Sequence, residues 1–187
     1  GGEIDGFNAE TAPIFLPNQI GGYMPAEPGK PALEGKRGEP DDGQKSPNAA
    51  LVALSKGYVV ASPGARGRTE PTGKAPAAIV DLKAAVRYLK ANDKVMPGNT
   101  EKIISNGTSA GGAMSALLGA TADQKDYESH LKALGAADGS DKVFAVSAYC
   151  PITDLDHADM AYEWQFNGIN DYKKMNISML DYRVKRE

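Results

Sequence analysis

The feature that most constrains the fold of this chain is a turn rich in glycine and serine that joins two apolar segments. It reads Gly107-Thr108-Ser109-Ala110-Gly111-Gly112, and we refer to it as the serine turn. The segment before it, residues 102–106, predicts a buried strand, and the small residues of 110–120 predict a helix lying close to a sheet. The spacing Gly-x-Ser-x-Gly at such a junction is typical of a sharp strand-to-helix turn that needs small flanking residues. The sequence therefore predicts an α/β fold.

The serine turn also predicts nucleophilic catalysis by Ser109. A serine hydroxyl must project clear of the backbone to meet both a base and a substrate, and this kind of turn presents it in that way. The backbone N–H of Ala110 would point from a helix N-terminus toward a forming oxyanion, and Gly22 is predicted to provide the second N–H. The alternative is that both Gly/Ser segments are ordinary turns without chemistry.

The rest of the chain alternates apolar runs with helical patterns, which predicts a mostly parallel sheet with helices on both faces. Ser46 is predicted to cap a helix with Pro47 at its first position, and the proline-rich residues 25–48 predict a long surface loop. Further strands are predicted at 13–17, 58–61 and 143–150, the strand at 58–61 being buried on both faces, and helices at about 47–57 and 79–89. Residues 1–153 are predicted to form the core domain, and residues 154–187 the start of a helical lid or insertion.

The helix at 79–89 has the clearest pattern. Ile79, Leu82, Val86 and Leu89 repeat on one face of a 3.6-residue period. Lys83, Arg87 and Lys90 fall outside that apolar face, and the pattern predicts that they lie on the other side of the helix.

The general base is not identified by the sequence. Only His130 and His157 are present, and His130 is predicted to lie on a solvated helix face. The order Ser109, Asp154, His157 resembles a triad, and Asp154 or Asp156 could be its acid. However, the histidine of such folds normally follows the last sheet strand. The alternative for all three residues is capping and turn chemistry.

Other side chains have two open interpretations each. Arg66 and Arg68 could contact an anionic substrate group or form a structural ion pair. The aromatic residues Tyr162, Trp164 and Phe166 could line a cleft or pack in a core. Cys150 is interpreted as a small core residue at a strand end.

Composition excludes several classes of function. The net charge is −3 and no basic stripe stands out, so no nucleic-acid partner is predicted. No run of about 18 apolar residues is present, so no membrane span is predicted. One cysteine and no Cys/His cluster of suitable spacing predict neither a metal site nor a cofactor. Localisation, cytoplasmic or secreted, stays open.

Longer stretches of the chain resemble bacterial tannases of the lactobacillal type. They are TAPIFLPNQIGGYMP (11–25), ALSKGYVVA (53–61), GARGRT (64–69), GKAPAA (73–78), IISNGTSAGG (103–112) and YCPITDL (149–155). The resemblance covers almost the whole chain and is more specific than the serine turn alone.

This resemblance implies an α/β-hydrolase fold with a large inserted lid and hydrolysis of galloyl esters in tannins to gallate. Ser109 falls on the family's catalytic serine, and Gly22 and Ala110 fall where its oxyanion donors lie. The family's catalytic Asp and His and its gallate-binding residues lie downstream and match no residue here. The chain is therefore interpreted as an incomplete, internal piece of a bacterial enzyme, inactive alone, whose remaining polypeptide supplies the Asp and His. Alternatives are a feruloyl or cinnamoyl esterase and a non-catalytic hydrolase-like domain.

Overall fold

A four-stranded parallel sheet forms the core of the computed structural model, which describes residues 2–35, 45–152, 154 and 157. In chain order the elements are β1 (Pro13–Pro17), β2 (Leu33–Gly35), β3 (Lys45–Pro47), α1 (Ala49–Ser55), β4 (Val59–Val60), α2 (Ala77–Ala91), β5 (Asn99–Thr108), α3 (Ala110–Ala120), a 3-10 turn (Lys125–Tyr127), α4 (Glu128–Leu134) and β6 (Ala145–Tyr149). The strand order is β4-β1-β5-β6, and all three pairings are parallel. The predicted mostly parallel α/β sheet is confirmed.

The connections of this sheet place helices on both of its faces. From β1 the chain passes through α1 to β4, at one end of the strand order. It then returns through α2 to β5, on the other side of β1, and continues in that direction through α3 to β6. Because such crossovers are right-handed, α1 covers one face while α2 and α3 cover the opposite one. The contact between α2 and α3 agrees with this arrangement. The buried apolar core includes residues of β1, β5, α2 and α3, among them Ile14, Leu16, Leu82, Val86, Ile103 and Leu118.

The N-terminus of α1 differs from the prediction. Asn48, not Ser46, caps the helix, and its Oδ1 accepts a hydrogen bond from the Leu51 N–H at 3.0 Å. Ser46 and Pro47 instead belong to β3, which pairs antiparallel with β2. Residues 25–48 therefore include a small two-stranded sheet as well as loop. Asn48 Nδ2 also donates to the Lys30 carbonyl at 2.8 Å and to Glu34 Oε1 of β2 at 2.9 Å, and the second bond joins the strand pair to the helix.

Replacing Asn48 with alanine is expected to destabilise the fold by about 1 kcal/mol, within the usual range of about 0.5–2 kcal/mol for a lost cap. The first-turn N–H of Leu51 would lose its acceptor. Asn48→Ser is the matched control because serine caps helices nearly as well. Chemical denaturation of the full-length protein measures the free energy of unfolding of the wild type and of both variants. Equal losses for alanine and serine would contradict a capping role.

Strand β4 is shorter and more exposed than predicted. It comprises only Val59 and Val60, lies at an edge of the sheet, and both residues are half-buried. The apolar run 58–61 was expected to be buried on both faces, which was wrong, because in the described sheet only one strand adjoins β4, and its side chains are flanked by neighbours on one side only.

Lys83 and Arg87 were predicted to lie on the side of α2 away from its apolar face, but neither side chain is in solvent. Lys83 is fully buried and Arg87 nearly so, and both bind Asp141. The Lys83 Nζ lies 2.8 Å from Asp141 Oδ1 and 4.7 Å from the centroid of the Tyr127 ring. The backbone N–H groups of Asp123 and Asp141 each donate to the other's carboxylate at 2.9 Å. This cluster fastens the connection between α3 and β6 onto α2.

The chain divides into two compact units, Gly1–Thr153 and Asp154–Glu187. The sheet and the serine turn belong to the first unit. That the second begins a lid stays a prediction. Within the described residues, no helix has the length and apolar character needed to cross a bilayer.

Candidate active site

The serine turn holds Ser109 in a backbone conformation that side chains rarely adopt. Ser109 lies between β5 and α3 with φ 58° and ψ −121°, and it is exposed to solvent. Its N–H donates to the Tyr149 carbonyl of β6 at 2.9 Å, and its carbonyl accepts from the Ala113 N–H at 2.9 Å. A non-glycine residue with positive φ is strained and persists only where its surroundings fix it. Here the neighbouring strand and the first turn of α3 both fix it.

The glycines of the serine turn are required by close backbone packing. A Cβ on Gly107 would collide with the carbonyl of Gly111, which lies in the helix above it. A Cβ on Gly112 would lie 2.5 Å from the Tyr149 carbonyl oxygen, and one on Gly111 would collide with Asn18. These contacts give the physical reason for the small residues from which the turn was predicted.

The N-terminus of α3 is directed at the region beside Ser109. Ala110 is the first residue of this helix and is buried, and no side chain caps it. In the described part of the chain, no backbone hydrogen bond outside the helices uses the Ala110 N–H as donor. A helix N-terminus has a partial positive charge and N–H groups without helical partners. The position therefore suits stabilisation of an anion formed next to the serine oxygen.

Gly22 lies in a tight turn that follows β1, within a segment we term the Gly22 loop (residues 19–25). The Met24 N–H donates to the Gly21 carbonyl at 3.0 Å, and Gly22 and Tyr23 have φ of 57° and 58°. Positive φ at both central positions defines a type I′ turn, which favours glycine. Gly22 is exposed. That its N–H contributes to an oxyanion hole stays a prediction.

The two arginines that follow β4 have separate structural roles. Arg66 forms a forked ion pair with Asp81, with its Nε 3.0 Å from Oδ2 and the terminal nitrogen 2.7 Å from Oδ1. The hydrogen bond to Asp81 raises the pKa of Arg66, and partial burial opposes this rise. Arg68 donates from Nε to the Gly22 carbonyl at 3.0 Å and from its backbone N–H to the Tyr23 carbonyl at 2.8 Å. Arg66 thus forms a structural ion pair, while Arg68 fastens the Gly22 loop.

Asn18 is a buried polar residue that the sequence analysis did not single out. It follows the last residue of β1, is 7% exposed, and contacts β5, α3 and the Gly22 loop. The sequence did offer one indication of its importance. Asn18 is a polar residue that directly follows a buried strand and precedes Gly22 by four residues.

The two histidines were the remaining candidates for the general base. His130 lies exposed on α4, as predicted. His157 pairs with Asp154 within the second unit, with Nδ1 3.0 Å from Oδ1, and its backbone N–H donates to the same carboxylate at 3.2 Å. Both side chains are exposed, and this geometry is that of a turn cap.

Three further predictions concern Cys150 and the end of the chain. Cys150 was expected in the core, which was wrong, because it follows the end of β6 at the sheet edge and is exposed. Asp156 and the aromatic residues Tyr162, Trp164 and Phe166 lie outside the described residues.

A parallel sheet with an exposed serine in a strained strand-to-helix turn defines an α/β-hydrolase. The chain belongs to the BD-FAE family, whose model matches residues 36–186. None of the curated proteins compared with the chain matches it.

Solved structures of bacterial tannases are similar to the chain, which confirms the resemblance. The Fusobacterium nucleatum tannase is 59% identical with a TM-score of 0.80, over 89% of this chain and 34% of that one. The Lactobacillus plantarum tannase is 50% identical with a TM-score of 0.79, over 91% and 36% of the two chains. A tannin acyl hydrolase in complex with ethyl gallate is 50% identical with a TM-score of 0.74, over 89% and 37%. The chain thus spans about a third of the length of these tannases.

Proposed function

We propose that the full-length protein is a serine esterase that hydrolyses galloyl esters of tannins and releases gallate through an acyl-enzyme on Ser109. The observation that carries this proposal is an exposed, strained Ser109 in a chain that is 59% identical to a tannase. The complex of a similar protein with ethyl gallate supports the substrate class. No cofactor or metal takes part in the proposed reaction.

The proposed reaction has two steps. Ser109 Oγ attacks the ester carbonyl as a base removes its proton, and the backbone N–H groups of Ala110 and Gly22 stabilise the oxyanion. The C–O bond then breaks, and the alcohol leaves with the proton from the base. Water next attacks the galloyl-enzyme, gallate leaves, and Ser109 regains its proton.

We propose that the base and the acid that orients it come from polypeptide outside this chain. The described Asp154–His157 pair is engaged in a local turn cap, and the chain spans about a third of the tannases that it matches. The 187 residues expressed alone are therefore expected not to hydrolyse methyl gallate.

The substrate class is tested by comparing methyl gallate with methyl ferulate on the full-length protein. A site whose polar groups bind the three gallate hydroxyls leaves those groups unpaired when a hydroxyl is missing. We therefore expect kcat/KM for the gallate ester to be higher by about 10²-fold or more. Preference for ferulate would instead support a feruloyl or cinnamoyl esterase. Absence of both activities, together with no labelling of Ser109 by a fluorophosphonate, would support a non-catalytic domain.

A further inference from the structure

We infer that Asn18 is a positioning residue that fixes the Gly22 loop against the serine turn, so that the two oxyanion donors keep their spacing. This inference rests on the proposed function, because it assigns Gly22 and Ala110 to the same oxyanion hole. In this role Asn18, which is buried, does not contact the substrate but acts through the backbone groups that do.

The amide nitrogen of Asn18 binds the structure on both sides of the serine turn. Its Nδ2 lies 3.0 Å from the Asn106 carbonyl, at the end of β5, and 3.0 Å from the Gly111 carbonyl, in the first turn of α3. It also lies 2.9 Å from Ser115 Oγ, one turn further along the helix. The strand before Ser109 and the helix after it are therefore joined through one side chain.

The amide oxygen of the same side chain binds the Gly22 loop. The backbone N–H of Ile20 donates to Asn18 Oδ1 at 3.2 Å. The backbone N–H of Asn18 separately donates to the Asn106 carbonyl at 2.9 Å. Ile20 is only 3% exposed, so the loop is buried at this point and begins its turn two residues before Gly22. A Cβ on Gly111 would lie 2.9 Å from the Ile20 carbonyl oxygen, which shows how closely the loop and α3 approach each other.

Only an uncharged side chain that both donates and accepts can make these contacts at this length. Asparagine has two N–H donors and a carbonyl acceptor. A carboxylate would place negative charge against two carbonyl oxygens in a buried position, and an aliphatic residue would leave Ile20 N–H and Gly111 C=O without this partner. The chemistry of the cluster therefore requires the amide.

Loss of this connection should affect the chemical step more than substrate binding. A displacement of about 1 Å at a catalytic group can cost about 10²-fold in rate, and loss of one oxyanion donor costs about 10²–10³-fold in kcat. Since the oxyanion forms only during reaction, KM should change much less than kcat.

The first test compares Asn18→Ala with Ser115→Ala in the full-length enzyme, using methyl gallate. Both substitutions remove the bond between Asn18 and Ser115 inside the same buried region, but only the first removes the side-chain bonds to Ile20, Asn106 and Gly111. We expect Asn18→Ala to lower kcat by about 10–10²-fold with KM within about 3-fold. We expect Ser115→Ala to retain kcat within about 3-fold, even if its melting temperature falls. Equal losses of kcat in the two variants, or none in Asn18→Ala, would overturn the inference.

A second variant, Asn18→Asp, keeps the size of the side chain and supplies an independent readout. Its carboxyl can donate a hydrogen bond only when it is protonated. The ratio of kcat for Asn18→Asp to kcat for the wild type should therefore rise as the pH falls. A ratio that does not change with pH would overturn the inference. This test can be carried out even if Asn18→Ala does not fold. If the wild-type enzyme itself neither hydrolyses galloyl esters nor reacts at Ser109, the proposed function fails first.

Discussion

Substitution of Ser109 by alanine in the full-length protein is expected to lower kcat for methyl gallate by about 10⁶-fold, the loss seen when the nucleophile of a serine triad is removed. The fold should persist, because Ser109 is exposed and its backbone, not its hydroxyl, makes the bonds to Tyr149 and Ala113. Alanine can also adopt the strained φ at a cost similar to that of serine. The measurement is steady-state kinetics with melting temperatures for both proteins.

Ser129→Ala is the matched control for this result, since Ser129 is an exposed serine on α4. It should retain full activity. Wild-type rates in Ser109→Ala would place the nucleophile elsewhere in the protein.

The second large effect is expected at Asp141. The substitution Asp141→Asn should destabilise the fold by about 3–5 kcal/mol, the cost of breaking a buried ion pair from one side. Lys83 is fully buried, and Asp141 is its only anionic partner among the described residues. Without that carboxylate, the Lys83 ammonium would stay buried next to the Thr121 carbonyl and the Tyr127 ring, with no opposite charge. Chemical denaturation of the full-length protein measures the change in the free energy of unfolding.

The pKa of Asp141 gives this prediction a pH dependence. Burial is the largest single influence and raises the pKa, but the hydrogen bonds from Lys83, from the Asp123 N–H and from Arg87, together with the charge of Lys83, outweigh it. The pKa in the folded protein therefore lies below the usual 3.8. Since the folded state binds this proton less well than the unfolded state, the stabilisation is complete above pH 3.8 and is lost as the pH falls through the folded pKa. The difference in the free energy of unfolding between the wild type and Asp141→Asn should therefore become smaller over that acidic range.

Glu128→Gln is the control for the buried cluster. Glu128 binds the same Arg87, yet its side chain is 52% exposed, so its removal should have a much smaller effect than that of Asp141. Equal destabilisation by the two substitutions would contradict the assignment of the stability to the buried pair.

The serine turn could be predicted from sequence because its rule is local. Gly107, Ser109 and Gly111 are close in the chain, and the collision that requires Gly107 is with the backbone of the helix that follows it. The parallel sheet was predictable for a similar reason, since each apolar run and each helical period lies within one segment. The residue at which a helix begins is harder to predict from sequence. Asn48, not Ser46, caps α1 because Ser46 and Pro47 lie in β3.

The buried polar contacts could not be predicted because their partners are distant in the chain. Lys83 and Asp141 are separated by 58 residues, and a lysine beside an apolar stripe ordinarily indicates a solvated face. Asn18 and Gly111 are 93 residues apart, and the position of Asn18 after a strand draws attention to it without indicating this partner. Such pairs become visible only once the sheet order brings the segments together.

Trapping of the acyl-enzyme tests the central claim most directly. The full-length protein would be mixed with methyl gallate, quenched in acid within the first turnover, digested, and analysed by mass spectrometry. We predict one galloyl group on the peptide that contains Ser109, and none on that peptide in Ser109→Ala. A galloyl group on a different residue, or turnover with no acylated peptide and undiminished activity of Ser109→Ala, would contradict the account.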